Sequence, residues 1–352
     1  MSSPVTRRSV IALGAAAAGT ALLKGTNADA QKKDTGNDLP FLTPWSPPEG
    51  LVKRLKPGTT PIRLASWSSK TTLDYPSGMS ITETVKRVRD AGYTAGNAYY
   101  PESKRNYWLD APESEIRELK DALLKYDVVF ADMHANANNI HPDPTMRAEE
   151  NRWTILECEA AERVGCASVA THTGSRAPSA VAHHPENWTR ATWDLSVKVM
   201  KKLLRDTAGM KVKLVIEPDN MATINAPKAH RRLIDDVGDP RLGVCLDPVN
   251  MIHMGNYFRT TELLEECFEL LGDHISIAHA KDTYILPDKM SMYITERPPG
   301  KGVLDYETYL VVLSRLKRPT PLIIEHIQEE EYPPAKRFIE ETAARVGVRL
   351  YR

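Results

Sequence analysis

The stretch "KLVIEPDN", residues 213–220, decides how this chain is read: a short apolar, β-branched run meets a carboxylate, Glu217, and is stopped at once by Pro218. Such a run favours a buried strand, and proline cannot continue a ladder of hydrogen bonds. A single strand ending in an acid shows only that the strand reaches solvent. The design recurs three times downstream, however, in "GVCLDPVN" (243–250), "ISIAHAKD" (275–282) and "PLIIEHI" (321–327). Four strands that end in Glu217, Asp247, His279 and Glu325 call for an architecture in which those ends meet.

Outward from these segments the chain alternates short strand-like runs with stretches of helical period. Strands are expected at "PIRLASW", "YTAGNAYY", "VVFADMH", "ASVATHT", "KLVIEP", "LGVCLD", "ISIAHA" and "PLIIEH". Helices are expected at "ITETVKRVRDAG", "SEIRELKDALLKYD", "NRWTILECEAAERVG", "ATWDLSVKVMKKLLRD", "TELLEECFELLGD", "DYETYLVVLSRLK" and "PAKRFIEETAARVG". Eight strand–helix units predict a (β/α)8 TIM barrel over residues 60–352, close to the usual ~250 residues plus insertions. No GxGxxG follows the first strand, which argues against a nucleotide-binding open sheet. The loops after strands are long and those after helices tight, as in a barrel whose function sits on the strand-following rim.

Composition narrows the functional classes. The 352 residues carry 46 Lys+Arg against 46 Asp+Glu and are 41% hydrophobic, a globular balance that advertises neither a nucleic-acid groove nor an anionic membrane surface. Residues 1–30 read as a twin-arginine export signal: Arg7 and Arg8 precede an alanine-rich apolar run, and Ala28, Asp29 and Ala30 form a small-x-small cleavage site. That run is too short for a membrane span, so a periplasmic or secreted protein without stable membrane insertion is expected. Residues 31–59 are a polar, proline-rich linker. Cys158, Cys166, Cys245 and Cys267 show no CxxC pairing and are expected to be buried small side chains.

On a barrel, Glu217, Asp247, His279 and Glu325 converge at one rim. Three carboxylates brought together raise one another's pKa unless a cation neutralises them. Oxygen-rich ligation with one nitrogen suits a single hard or borderline divalent ion, Mn²⁺ ahead of Mg²⁺ and Co²⁺, with Zn²⁺ still admissible. His134 and His172 end the third and fourth strands and are candidate substrate-hydroxyl or proton-relay groups. Lys281 lies two residues after His279, on the same side of the strand, as a candidate cation for a developing enolate or as an ordinary ion-pair partner of Asp282. Trp67, Tyr99, Tyr100, Tyr107 and Trp108 suit either a sugar face or ordinary packing. His183 and His184 read as a solvated turn, and "PPGKG" (298–302) lacks the spacing of a phosphate loop and is expected to turn over the site.

With these motifs, "VIEP", "CLDP", "AHAKD", "PPGKGVLDYETY" and "IIEH", the chain from about residue 60 onward resembles the sugar phosphate isomerase/epimerase family of xylose isomerase-like barrels, which includes ketose 3-epimerases, inosose dehydratases and relatives of endonuclease IV. The resemblance implies that Glu217, Asp247, His279 and Glu325 bind one divalent metal and that the two glutamates flank the reacting carbon. Asn250 stands where several members have a histidine; its amide can bond a substrate hydroxyl, but a ligand of the multi-zinc nuclease branch is missing. The expected activity is metal-dependent isomerisation or epimerisation of an unphosphorylated sugar or keto-sugar through an enediolate. Two alternatives stand beside it: a lyase or dehydratase acting on a 3-keto-glycoside or inosose-like substrate, and a non-catalytic sugar-binding protein. The expected partner is a small carbohydrate rather than nucleic acid, and assembly into a homo-oligomer is compatible with the sequence.

Overall fold

In each parallel strand the inward-facing positions alternate with those that face the helices, and this alternation positions everything that follows. The structure, a computed structural model, describes residues 55–99 and 106–352. The export signal, most of the linker and Tyr100 lie outside the described residues. The strands are β1 (Arg63–Ser66), β2 (Ala95–Tyr99), β3 (Val129–Asn138), β4 (Ser168–His172), β5 (Lys213–Ile216), β6 (Leu242–Leu246) and β7 (Ile275–Ala280), then β8 (Asp282–Ile285), β9 (Ile294–Arg297) and β10 (Pro321–Ile324). Eight of them form one parallel sheet in the order β1-β10-β7-β6-β5-β4-β3-β2. The Thr94 N–H donates to the Leu64 carbonyl at 3.1 Å and brings the β2 edge back towards β1. The result is the nearly closed TIM barrel that the sequence pattern predicts.

Among the described residues eight α-helices accompany the strands: α1 (Ile81–Asp90), α2 (Glu113–Tyr126), α3 (Pro144–Val164), α4 (Arg190–Asp206), α5 (Pro227–Val237), α6 (Thr260–Leu271), α7 (Tyr306–Ser314) and α8 (Tyr332–Val346). Local signals set their ends. Ser80 and Glu83 close a capping box at the start of α1. Helix α5, which the periodicity reading does not name, has proline in its first turn and stops at Gly238, where φ is 70°. Helix α3 begins seven residues before the expected stretch, because Asp143 caps it by accepting from Thr145 and Met146 N–H.

The barrel lumen is filled from two halves. Ala65, Ala95, Ala131 and Ile323 pack together, as do Ala170, Val215, Cys245 and Ile277. Val215, Cys245, Ile277 and Ile323 each lie two residues before Glu217, Asp247, His279 and Glu325. Period-2 alternation therefore aims these four groups at the rim above the packed lumen. All four cysteines are buried and free, as expected.

The sequence reading treats the connection after β7 as a decorated loop. It contains the antiparallel hairpin β8–β9, with Thr283 opposite Glu296 and Tyr284 opposite Thr295. Its base is gathered on the Asp282 carboxylate, which accepts N–H groups from Thr283, Gly300, Gly302 and Leu304 at 2.8–3.1 Å. The "PPGKG" turn thus closes the hairpin around Asp282 and is not among the residues that line the cavity described below, a correction to the expectation that it covers the site.

Candidate metal centre

Backbone bonds at the strand ends hold the four groups in place. Glu217 N–H donates to Thr171 O at 2.9 Å and Glu325 N–H to Ala280 O at 3.4 Å, while the Tyr309 hydroxyl of α7 bridges His279 O (2.8 Å) and Leu246 O (3.2 Å). Glu217, Asp247, His279 and Glu325 are all buried, and one donor atom from each lies within 4.8 Å of every other. His279 Nδ1 sits 3.3 Å from Glu217 Oε1, 3.6 Å from Asp247 Oδ2 and 3.1 Å from Glu325 Oε1. Its other nitrogen rests against Cys245 Sγ at 3.3 Å, so the ring presents Nδ1 to the three acids.

His279 Nδ1, Asp247 Oδ2 and Glu325 Oε1 are buried without an aligned hydrogen bond. The three carboxylate oxygens lie 3.1–3.6 Å from His279 Nδ1, near the spacing of neighbouring ligands around one divalent ion. Three carboxylates and one imidazole with convergent, unaligned lone pairs fit a divalent cation of the Mg²⁺, Mn²⁺ or Zn²⁺ type. Electrostatics point the same way. Burial opposes charge on Glu217, yet the charge and hydrogen bond of His279, with His172 and His134 nearby, hold its carboxyl well below the usual range. Burial likewise opposes a charged His279, but Cys245, Glu325 and Glu217 drive its pKa well above the ordinary value. Surroundings that favour a proton on that ring favour a metal cation too.

Glu217 also faces a second direction. Its Oε2 lies 3.9 Å from His134 Nε2 and 3.8 Å from His172 Nε2, a further three-donor group. His134 does not end its strand as the sequence suggests, since β3 runs four residues on to Asn138, with a register shift between Ala135 and Asn138 that accommodates the extension. Burial lowers the His172 pKa. Asn250 donates its amide to Glu217 Oε1 at 2.9 Å, and its backbone N–H to Asp247 Oδ1 at 3.1 Å. Lys281 is 1% exposed and contacts Asp247 Oδ2 (2.9 Å), Glu325 Oε1 (2.9 Å) and Glu296 Oε1 (3.1 Å), not Asp282. Trp67 lies edge-on to His134, with ring centroids 5.5 Å apart.

These groups line a cavity of ≈ 350 Å³ whose wall includes Trp67, His134, His172, Glu217, Asn250, Lys281 and Glu325, enough for a monosaccharide-sized ligand. Of the candidates named from the sequence, Trp67, His134, His172, Glu217, Asn250, Lys281 and Glu325 fall on this cavity, and Asp247 and His279 lie against its acids. Tyr107 and Trp108 do not; they pack with Tyr75 at centroid distances of 4.8 and 5.5 Å. His184 caps a short turn by accepting from Glu186 N–H at 3.3 Å.

Five cavity residues escape the sequence reading, Asn136 and Val181 and three that titrate. Asp219 follows Glu217 by two residues, a spacing that could have revealed it. His326 follows Glu325 directly, where alternation would turn it away; a φ of 55° brings it back to the wall. Glu296 arrives on β9, separated in sequence from any strand end of the barrel.

Residues 85–347 match the family described as the xylose isomerase-like TIM barrel. Among solved structures, the chain is similar to a xylose isomerase-like TIM barrel protein from Mycobacterium smegmatis in complex with magnesium (16% identity, TM-score 0.57, 82% of this chain and 97% of that one). It is also similar to D-allulose 3-epimerase from Methylomonas sp. in complex with D-allulose (14%, 0.55, 84% and 93%). A third is the IOLI protein with a bound zinc atom (17%, 0.58, 81% and 98%). At these identities the likeness is one of fold. The family match spans well over half of the chain, and the chain belongs to the xylose isomerase-like TIM barrel family.

Proposed function

We propose that this protein is a divalent-metal-dependent isomerase or epimerase of an unphosphorylated sugar or keto-sugar. The observation that carries the reading is a pair of buried glutamates, Glu217 and Glu325, just past the ends of β5 and β10, meeting Asp247 and His279 in one donor cluster at the floor of a sugar-sized cavity. Glu217, Asp247, His279 and Glu325 would hold the cation. When bound, it would polarise a substrate carbonyl and favour loss of the neighbouring proton. Both glutamates are held ionised, Glu325 through His279 and Lys281 against the effect of burial, so either can accept that proton. Delivery to the opposite face of a proton that the other glutamate has drawn from solvent inverts a stereocentre; return of the abstracted proton to the adjacent carbon isomerises the sugar. The Lys281 ammonium stands ready beside developing negative charge, while Asn250, His134, His172 and Trp67 would orient hydroxyls and ring faces. Mn²⁺ is the favoured ion on the basis of the oxygen-rich donor set.

The printed names of the structural neighbours, sugar epimerases among them, support the substrate class. The twin arginine and alanine-rich run support export to the periplasm. A second reading, elimination of a substituent from a 3-keto-glycoside, is favoured by His326, whose Nδ1 is 3.1 Å from Glu296 Oε2 on the same wall. It is a third proton-transfer group beyond the two glutamates. The test is NMR of the Mn²⁺-loaded protein in D₂O with a panel of ketoses and 3-keto-glycosides. Deuterium at the α-carbon with a new epimer or ketose supports the first reading, and a released aglycone the second. Ligand binding without exchange, retained in the Glu217→Gln/Glu325→Gln double variant, would indicate a sugar-binding protein instead.

A further inference from the structure

The hairpin β8–β9 brings a carboxylate to the metal centre that no strand end of the barrel supplies. Glu296 is half exposed, with 42% of its side chain accessible, yet its two oxygens are both engaged: Oε1 lies 3.1 Å from Lys281 Nζ and Oε2 lies 3.1 Å from His326 Nδ1. Lys281 is shared. Its ammonium is also 2.9 Å from Asp247 Oδ2 and 2.9 Å from Glu325 Oε1, two of the four atoms that converge in the donor cluster. Neither of those oxygens makes an aligned hydrogen bond despite the short contact. Their lone pairs are directed elsewhere, and the lysine acts on them as a counter-charge.

A dication among these donors would lie within a few ångströms of the ammonium. In a buried site such repulsion exceeds the worth of an ordinary hydrogen bond. The ammonium must therefore lean away from Asp247 and Glu325 as the cation enters. Glu296, already in contact with the lysine and bonded to His326, whose Nδ1 itself lies 3.3 Å from the ammonium, is the acid able to take it among the described residues. We infer that Lys281 and Glu296 form a counter-charge shuttle, in which the hairpin carboxylate accepts the Lys281 ammonium from Asp247 and Glu325 when a divalent cation binds, and so sets the cation affinity of the site. This rests on the reading of the four-residue cluster as a cation site. It gives the hairpin a function: its base is pinned by Asp282, and by the Tyr257 hydroxyl accepting from Ile285 N–H at 2.9 Å, which holds Glu296 at a set distance from the lysine.

The experiment is a double-mutant cycle on Mn²⁺ affinity, measured by calorimetry on metal-stripped full-length protein, with a thermal melt of each variant. Lys281→Met should tighten Mn²⁺ binding by about tenfold or more, since the competing charge is gone. Glu296→Gln should weaken it by about tenfold, the worth of one charge-assisted hydrogen bond. In the Lys281→Met background the Glu296→Gln effect should shrink to about twofold. An equal effect in both backgrounds would show that Glu296 acts only through space, and would overturn the inference, as would weaker binding by Lys281→Met. Should Lys281→Met fail to fold, Lys281→Gln, which keeps a donor without the charge, completes the same cycle. Absence of divalent binding to the unmodified protein would overturn the cation-site reading and this inference together, whereas binding without coupling removes the inference alone.

Discussion

Replacing Glu157 by glutamine should make the protein more resistant to alkaline pH, by an amount set by one buried carboxyl. Glu157 lies on α3 and is 1% exposed. Asn106 donates to its Oε2 at 2.8 Å, while Oε1 has no hydrogen-bond partner. Burial pushes the carboxyl up to about 8; Asn106 opposes the shift, and the nearby Asp132 adds to it. A carboxyl raised in the folded state binds a proton that the unfolded chain has already released. Its stabilising effect is complete below the unfolded value of about 4.5 and is lost as pH rises from there to about 8. At about 1.4 kcal/mol per pH unit the full loss is about 5 kcal/mol at most. Glutamine copies the protonated acid in shape and keeps an acceptor for Asn106, without the ionisation. Urea unfolding of both proteins at pH 5, 6, 7 and 8 should therefore show a small difference at pH 5 that grows steadily in favour of Glu157→Gln, by several kcal/mol at pH 8. A difference that stays constant with pH, or that shifts towards the unmodified protein, would refute the argument.

Glu217→Gln and Glu325→Gln should each reduce α-proton exchange into D₂O by roughly 10³-fold or more, with the thermal midpoint of the metal-free protein lowered, because each removes a carboxylate that buried His279 favours in its ionised form; NMR and a melting curve read both. Chelation followed by addition of Mn²⁺ at 100 times its Kd should raise the unfolding free energy by about 2.7 kcal/mol, and the absence of any midpoint shift with Mn²⁺, Mg²⁺, Co²⁺ or Zn²⁺ would contradict the cation site. Gly302→Ala should destabilise the protein by about 2 kcal/mol or more, since a Cβ there would collide with the Thr283 carbonyl and the Asp282 carboxylate; limited proteolysis should then cut between β8 and β9. Tyr309→Phe, which removes the hydroxyl bridging His279 O and Leu246 O, should cost about 1 kcal/mol in denaturant unfolding.

Much of this protein is legible from local pattern because the barrel repeats one local rule. Apolar runs of four to six residues, separated by helical periods, name all eight barrel strands. The spacing of two between lumen residues and site residues, as in Val215 to Glu217 and Ile277 to His279, announces which side chains share a rim. Lys281 is legible for the same reason. Helix α5 is less so, since its Pro227 and Gly238 boundaries are clear while its interior is short and mixed in polarity.

What only the tertiary structure decides is whatever depends on a departure from that rule or on contacts between distant segments. His326 reaches the cavity through a left-handed backbone that reverses the expected alternation. His134 sits within β3 because the strand continues past it across a register shift. Glu296 comes to Lys281 only because β9 folds back on β8 around the Asp282 carboxylate, and that closure depends on three backbone N–H groups drawn from a turn some twenty residues downstream. Alternation and period are properties of neighbouring residues and are written in the sequence itself; the meeting of Glu296, Lys281 and His326 depends on where separate segments come to rest, and only the folded chain determines that.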